Sequence, residues 1–235
     1  MKTILHKAAT RGHADHGWLK TNHTFSFANY YNPERMHFGM LRVLNDDWID
    51  SGKGFGMHPH DNMEIITIPL SGTVEHKDSM GNSGTITAGE IQVMSAGTGI
   101  YHSEFNAEKN LSLSLLQIWV FPDTKNVTPR YDQISISELE KENELYQILS
   151  PSATDQGVWI HQQAWFSLGN FTLEWEGSYQ LHSPQSGVYV FVIEGDAEVA
   201  GFKLNKRDGI GISEISEIEI KTFVGTKLLV MEVMM

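Results

Sequence analysis

The sequence contains no cysteine. That absence removes disulfides, thiolate-held zinc and cysteine nucleophiles together, so any metal must be held by His, Asp or Glu. Long apolar runs are missing as well: no stretch approaches the roughly eighteen residues that a membrane-spanning helix needs. Met1-Lys2-Thr3-Ile4-Leu5-His6 has neither the apolar run nor the small-residue cleavage site of a signal peptide. A cytoplasmic protein without membrane contact is expected. Basic clusters are absent beyond Lys206-Arg207, against a formal net charge of -12. That balance gives no electrostatic footprint for direct nucleic-acid binding, while it permits protein partners.

What is present is a chain of 235 residues, 40% hydrophobic, with eleven histidines, nine of them before residue 103. The length suits one large all-β unit or two small domains, and the histidines put any chemistry in the first half. Strands are expected around Phe25 and Phe27, at 40–47 ending in an acidic turn, and at 63–70, 72–78, 85–87, 91–95 and 111–121. After a break they resume at 158–165, 171–175, 188–193, 197–199, 209–212, 217–222 and 227–234. Short strands with Gly- and Asn-rich turns point to a sandwich or barrel. The break, 122–157, holds a loop from Pro122 to Pro129 and a Ser137-Glu138-Leu139-Glu140 capping box that predicts a short helical linker.

The second run of strands looks like a worn copy of the first. Val190 to Val199 lines up with Ile66 to Glu75 when Gly195 is set on Gly72 with one residue of slack, and Leu228 to Val233 lies on Leu115 to Val120. Self-similarity of this kind implies two related β domains in tandem, divided here as residues 1–130 and 131–235.

Two stretches carry the chemistry. Gly52 to Glu64 contains His58-Pro59-His60, and Gly99 to Asn106 contains His102 and Glu104. Residues i and i+2 of a strand point to one face, so His58 and His60 can aim at one point, and so can His102 and Glu104. Two such pairs meeting across a sheet would make a site of three imidazoles and a carboxylate, a set that suits a catalytic transition metal with open positions. Pro59 stiffens the first pair, and the glycines from Gly52 to Gly56 allow close approach. Glu64 competes for the carboxylate place, but it lies about 13 Å beyond His60 along an extended strand, and geometry favours Glu104. In the repeat register, His58, His60, His102 and Glu104 fall on Leu181, Ser183, Lys221 and Phe223, so the copy has no ligand set.

The spacings Gly52-x5-His58-x-His60-x3-Glu64 and Gly99-x2-His102-x3-Asn106 resemble the two metal motifs of the cupin superfamily. The fuller resemblance is to pirin-like bicupins, and it runs through Arg11-Gly12-His13, Thr24 to Tyr31, Leu41 to Asp47, His58-Pro59-His60, Glu75 to Asn82 and Ser95 to Glu104. It implies two tandem cupin domains, each a double-stranded β-helix or jelly-roll barrel. It further implies His58, His60, His102 and Glu104 as ligands of Fe(II), or of Mn, Ni, Co, Cu or Zn, in the N-terminal cupin only. One extra residue between Glu64 and Gly72 and Ser95 in place of the usual proline agree with the pirin branch, where the carboxylate ligand comes from the second motif; Glu64 then supports the ligands without touching the metal.

Bacterial members of that branch are described as candidate quercetin 2,3-dioxygenases. A flavonol such as quercetin and O2 are therefore the expected substrates, with Glu104 also the catalytic base and Phe25, Phe27, Met40, Met57, Met63 and Trp119 available to line an apolar pocket. A monomer is expected. The alternative is a non-enzymatic, metal-responsive regulator acting through protein partners, as eukaryotic pirins are thought to act.

Overall fold

The computed structural model describes residues 1–235, and the chain is β throughout, its single helical element being a three-residue 3-10 turn at Ala8–Thr10. Two seven-stranded sheets and two four-stranded sheets are formed, with the same order in both halves. In the first half the large sheet runs Arg130–Ser135, Glu90–Ser95, Glu64–Ser71, Leu113–Val120, Leu41–Ile49, Leu19–His23, Gly12–Asp15, and the small one Gly54–His60, Ile100–Asn106, Thr73–Asp78, Ser83–Thr87. The second half repeats this order, except that its outermost pair, Leu145–Ser150 with Val158–Trp159, is parallel where Gly12–Asp15 and Leu19–His23 are antiparallel. Gly72 and Gly195 both take positive φ, 80° and 72°, between corresponding strands, a conformation that glycine adopts without a Cβ penalty.

Strand alternation sends each large sheet's residues to two different cores. One face packs within its own barrel. Ile65, Met94 and Ile100 make one such cluster, and Val188, Val190, Ile218 and Ile220 belong to another. The opposite faces meet back to back in the largest core, 26 residues that include Ile66, Ile68 and Ile118 from the first half and Phe166, Phe191 and Leu229 from the second. The order of layers is therefore small sheet, large sheet, large sheet, small sheet.

Hydrogen bonding does not follow a division between residues 130 and 131. Lys2–His6 pairs with Gly209–Ser213 at the edge of the second large sheet, and Arg130–Ser135 pairs with Glu90–Ser95 at the edge of the first. Each half covers an edge of the other, which leaves fewer unpaired strand edges. The expected linker helix does not form. Residues 137–139 make a turn, Ser137 Oγ sits 2.6 Å from Ser135 Oγ, and Glu140 accepts from Asn170 Nδ2 at 3.0 Å instead of turning back to cap. The strand expected at Phe25 and Phe27 is a tight turn, bridged between Phe27 and Tyr30 with Ala28 at φ 48°. The acidic turn expected at Asn45-Asp46-Asp47 is instead the middle of a nine-residue strand, Leu41–Ile49.

Asp208 anchors the N-terminal strand. Its carboxylate, 3% exposed, accepts from the Ala8 amide at 2.7 Å, Lys7 Nζ at 2.8 Å and the Asn205 amide at 2.9 Å. Burial opposes its ionisation, but the hydrogen bonds from Lys7, Asn205 and Ala8 prevail and hold it below the usual carboxylate range. A depressed folded-state value stabilises above the unfolded value and loses that stabilisation as pH falls through the folded one. Asp208→Ala is expected to lower unfolding free energy by about 2 kcal/mol at neutral pH, and the gap between variant and wild type should close as urea melts are taken below about pH 4.

Candidate metal centre

Strands Gly54–His60 and Ile100–Asn106 are antiparallel neighbours, with His102 directly opposite His58 and Ile100 opposite His60. Their inward side chains bring three imidazoles together. Ring centroids lie 4.4 Å apart for His58 and His102 and 4.9 Å apart for the other two pairs. The possible ligand atoms of His58, His60 and His102 all fall within 4.8 Å of one another. Between His102 and Glu104 the register shifts, setting Glu104 opposite Phe55. Such a bulge re-aims a side chain beside a site. Gly54 permits the approach, since a Cβ there would lie 2.2 Å from the Glu104 carbonyl oxygen.

The tautomers follow from the neighbours. The Gly56 carbonyl can only accept, so His58 Nδ1, 2.8 Å away, carries its proton and leaves Nε2 with a free lone pair. His102 is wholly buried and neither of its ring nitrogens has a partner. Burial, reinforced by neighbouring His58, pushes His60 down to about 4 and His102 to about 2, so both are neutral bases at pH 7. Neutral imidazoles with unpaired nitrogens converging on one point fit a divalent metal.

Glu104 sits on the same strand but is held by the opposite sheet. It is 2% exposed; Thr67 Oγ1 donates to Oε1 at 3.0 Å and Gln117 Nε2 donates to Oε2 at 2.7 Å. Burial raises its pKa, opposed by nearby His76 and by the Thr67 hydrogen bond. Its carboxylate groups with His102 and His76 within 4.8 Å, so two clusters share His102. His76 was not singled out from the sequence. It stands opposite Glu104 on the next strand, fully buried, with Nδ1 unpartnered and its ring 4.8 Å from that of Tyr131. The spacing rule applied to His58 and His60 would have flagged it, since His76 and Asp78 are also two apart on one strand.

Glu64 is not part of this centre. A turn through Asn62, φ 43°, separates its strand from that of His60, and it shares a face with Ile66 and Ile68, toward the core between the halves. There it accepts from Ser95 Oγ at 2.7 Å, and burial pushes it up to about 7 despite Ser95, the His161 backbone and Arg130.

His58 and His60 border a cleft of about 710 Å³ that Met63, Tyr101 and Trp119 also line. Trp119 packs 4.9 Å from His60. Of the other expected pocket residues, Phe27 packs against Trp119, Phe25 lies in the core between the halves, Met40 packs against that core, and Met57 is 58% exposed. In the second barrel the corresponding paired strands, Trp175–Gln180 and Glu217–Thr222, turn Tyr179, Ile218 and Ile220 into an apolar interior.

Known proteins share this arrangement. The family model described as Pirin matches residues 5–120, and that described as Quercetinase C-terminal cupin domain matches residues 147–233. The chain is 44% identical to the quercetin 2,3-dioxygenase of Escherichia coli K12 over 92% of each protein. It is 37% identical to a pirin-like protein of Caulobacter vibrioides, over 94% of this chain and 95% of that one. The crystal structure of the bacterial pirin YhhW from E. coli in complex with nickel(II) superposes with a TM-score of 0.93 at 41% identity, covering 99% of both chains.

With Glu104 proposed as the carboxylate ligand, removing one of its hydrogen-bond donors should loosen a metal without removing that ligand. Gln117→Leu and Thr67→Val are each expected to weaken Ni(II) or Fe(II) binding about 10-fold to 100-fold, read by competition with a chelator. Glu104→Ala should lower metal content sharply, and Glu64→Ala far less.

Proposed function

This chain belongs to the pirin family, and from that premise we propose that it is a metal-dependent dioxygenase that opens a ring of a flavonol such as quercetin with O2. The observation that carries the reading is the convergence of His58, His60 and His102 on one point, with both nitrogens of buried His102 unpartnered. In this reading these three and Glu104 hold one divalent metal, Fe(II) by preference, at the end of a cleft sized for a small aromatic molecule. The nickel(II) of the E. coli relative supports a divalent ion. When bound, the metal supplies Lewis-acid and redox chemistry with open coordination positions.

The chain's own residues divide the rest of the work. Met63 and Trp119 give the flavonol an apolar wall beside His60 and keep water from the reacting ring. Glu104 takes the proton of a flavonol hydroxyl as general base, with Thr67 and Gln117 fixing the orientation of its carboxylate. Pairing of the His58 and His102 strands sets the imidazoles before substrate arrives, so little reorganisation is needed during reaction. The proposal includes a monomeric, cytoplasmic enzyme; no helix is long and apolar enough to cross a membrane.

Aerobic incubation of quercetin with metal-loaded protein is expected to consume the flavonol and release ring-cleavage product and carbon monoxide. His60→Ala should reduce that rate about 100-fold or more. Inactivity of the wild type with Fe, Mn, Ni, Co and Cu alike would favour a metal-responsive regulator, and equal rates for the variant would remove the metal from the reaction.

A further inference from the structure

A cavity of about 270 Å³ opens at the seam between the two halves. Its apolar floor is an edge of the core that joins them: Ile68 comes from the first half, Leu168 and Ile193 from the second, and Ile136 from the segment between. No residue of the metal centre lines it.

The rim carries two opposite charges that do not meet. Asn170 and Lys227 stand directly opposite each other on adjacent antiparallel strands, so their side chains leave the same face of the sheet. Asn170 Nδ2 donates to Glu140 Oε1 at 3.0 Å, which holds the Glu140 carboxylate beside it. Yet no ion pair joins Lys227 to Glu140, nor to Glu194, the other rim carboxylate, which is held by Lys206 Nζ at 2.7 Å. Glu140 and Lys227 are both exposed, so a ligand in the cavity reaches them without disturbing the core.

Tyr146 adds a polar group to the lining. The residue is 8% exposed and its hydroxyl has no partner in the protein, but it is not among the unpaired polar atoms closed off from solvent. Burial, reinforced by the neighbouring Glu140 charge, pushes the phenol up to about 12, so the hydroxyl keeps its proton at neutral pH and can donate.

A simple anion in this cavity would meet Glu140, and a simple cation would meet Lys227. A molecule with both charges close together on an apolar body satisfies both. We propose that the cavity binds a free α-amino acid with an apolar side chain, its ammonium on Glu140, its carboxylate on Lys227 and the Tyr146 hydroxyl, and its side chain on Ile68, Leu168 and Ile193. Binding there does not depend on the flavonol reading.

L-Phenylalanine titrated into the full chain tests it, with backbone amide shifts followed by NMR. The comparison ligands are 3-phenylpropanoate, which lacks the ammonium, and 2-phenylethylamine, which lacks the carboxylate. Shifts at Leu168, Asn170 and Ile193 are expected, with the amino acid binding about fivefold or more tighter than either analogue. Lys227→Met should bring L-phenylalanine down to the level of 2-phenylethylamine, and Glu140→Gln to that of 3-phenylpropanoate. Both changes fall at exposed positions, so the fold is not at stake. Shifts confined to His60, Met63 and Trp119, an analogue that binds as tightly as the amino acid, or unchanged affinity in either variant would each overturn the site. Quercetin turnover is read at the other cleft, so its failure leaves these results standing, and its success would not rescue a cavity that ignores the amino acid.

Discussion

His102 places a fully buried imidazole where neither nitrogen can find a hydrogen-bond partner, and the first barrel is arranged around that demand. An unpaired buried polar group costs about 1–3 kcal/mol, so an apolar side chain would serve packing better there. The histidine makes sense as a ligand. Its strand must lie against Gly54–His60 in the one register that puts His102 opposite His58. A slip of that strand by one residue would turn His102 away from His58 and His60. Gly54 and the bulge before Glu104 then let the two strands close up.

The second barrel shows the same scaffold without the demand. Its sheets repeat the strand order, but the interior is filled by side chains such as Val190, Tyr179 and Ile220. Its buried carboxylate, Glu232, is fully partnered: it accepts from Tyr179 Oη at 2.9 Å, His182 Nδ1 at 2.7 Å and the His182 and Ser183 amides. A fully partnered carboxylate in one barrel and unpaired imidazoles in the other distinguish the two interiors. The large core between the barrels and the exchanged edge strands make the second barrel a support for the first.

That His58, His60 and His102 come together was legible because strand alternation is a local rule that needs no knowledge of neighbours, whereas the grouping of Glu104 with His76 and His102 was not. The repeat was legible through its glycines, Gly72 and Gly195. What escaped depends on contacts between distant residues. Glu64 reads as continuous with His60 until the Asn62 turn starts a new strand. Ser137-x-x-Glu140 has the form of a helix cap, yet Glu140 is drawn to Asn170, thirty residues on. Lys2–His6 gives no sign that it serves the far barrel. The Asn45-Asp46-Asp47 run resembles a turn by composition, because a sequence does not show that a strand with partners on both sides can bury two polar residues and aim the third at Arg11.

The central claim is that three imidazoles and the Glu104 carboxylate surround a single metal ion. X-ray absorption on Fe(II)-loaded wild type and Glu104→Gln addresses it most directly. Three imidazole ligands in both proteins, with one carboxylate oxygen lost in the variant, is the expected result. An identical shell in the two proteins, or an imidazole count that falls when His76 is replaced by Phe, would contradict it.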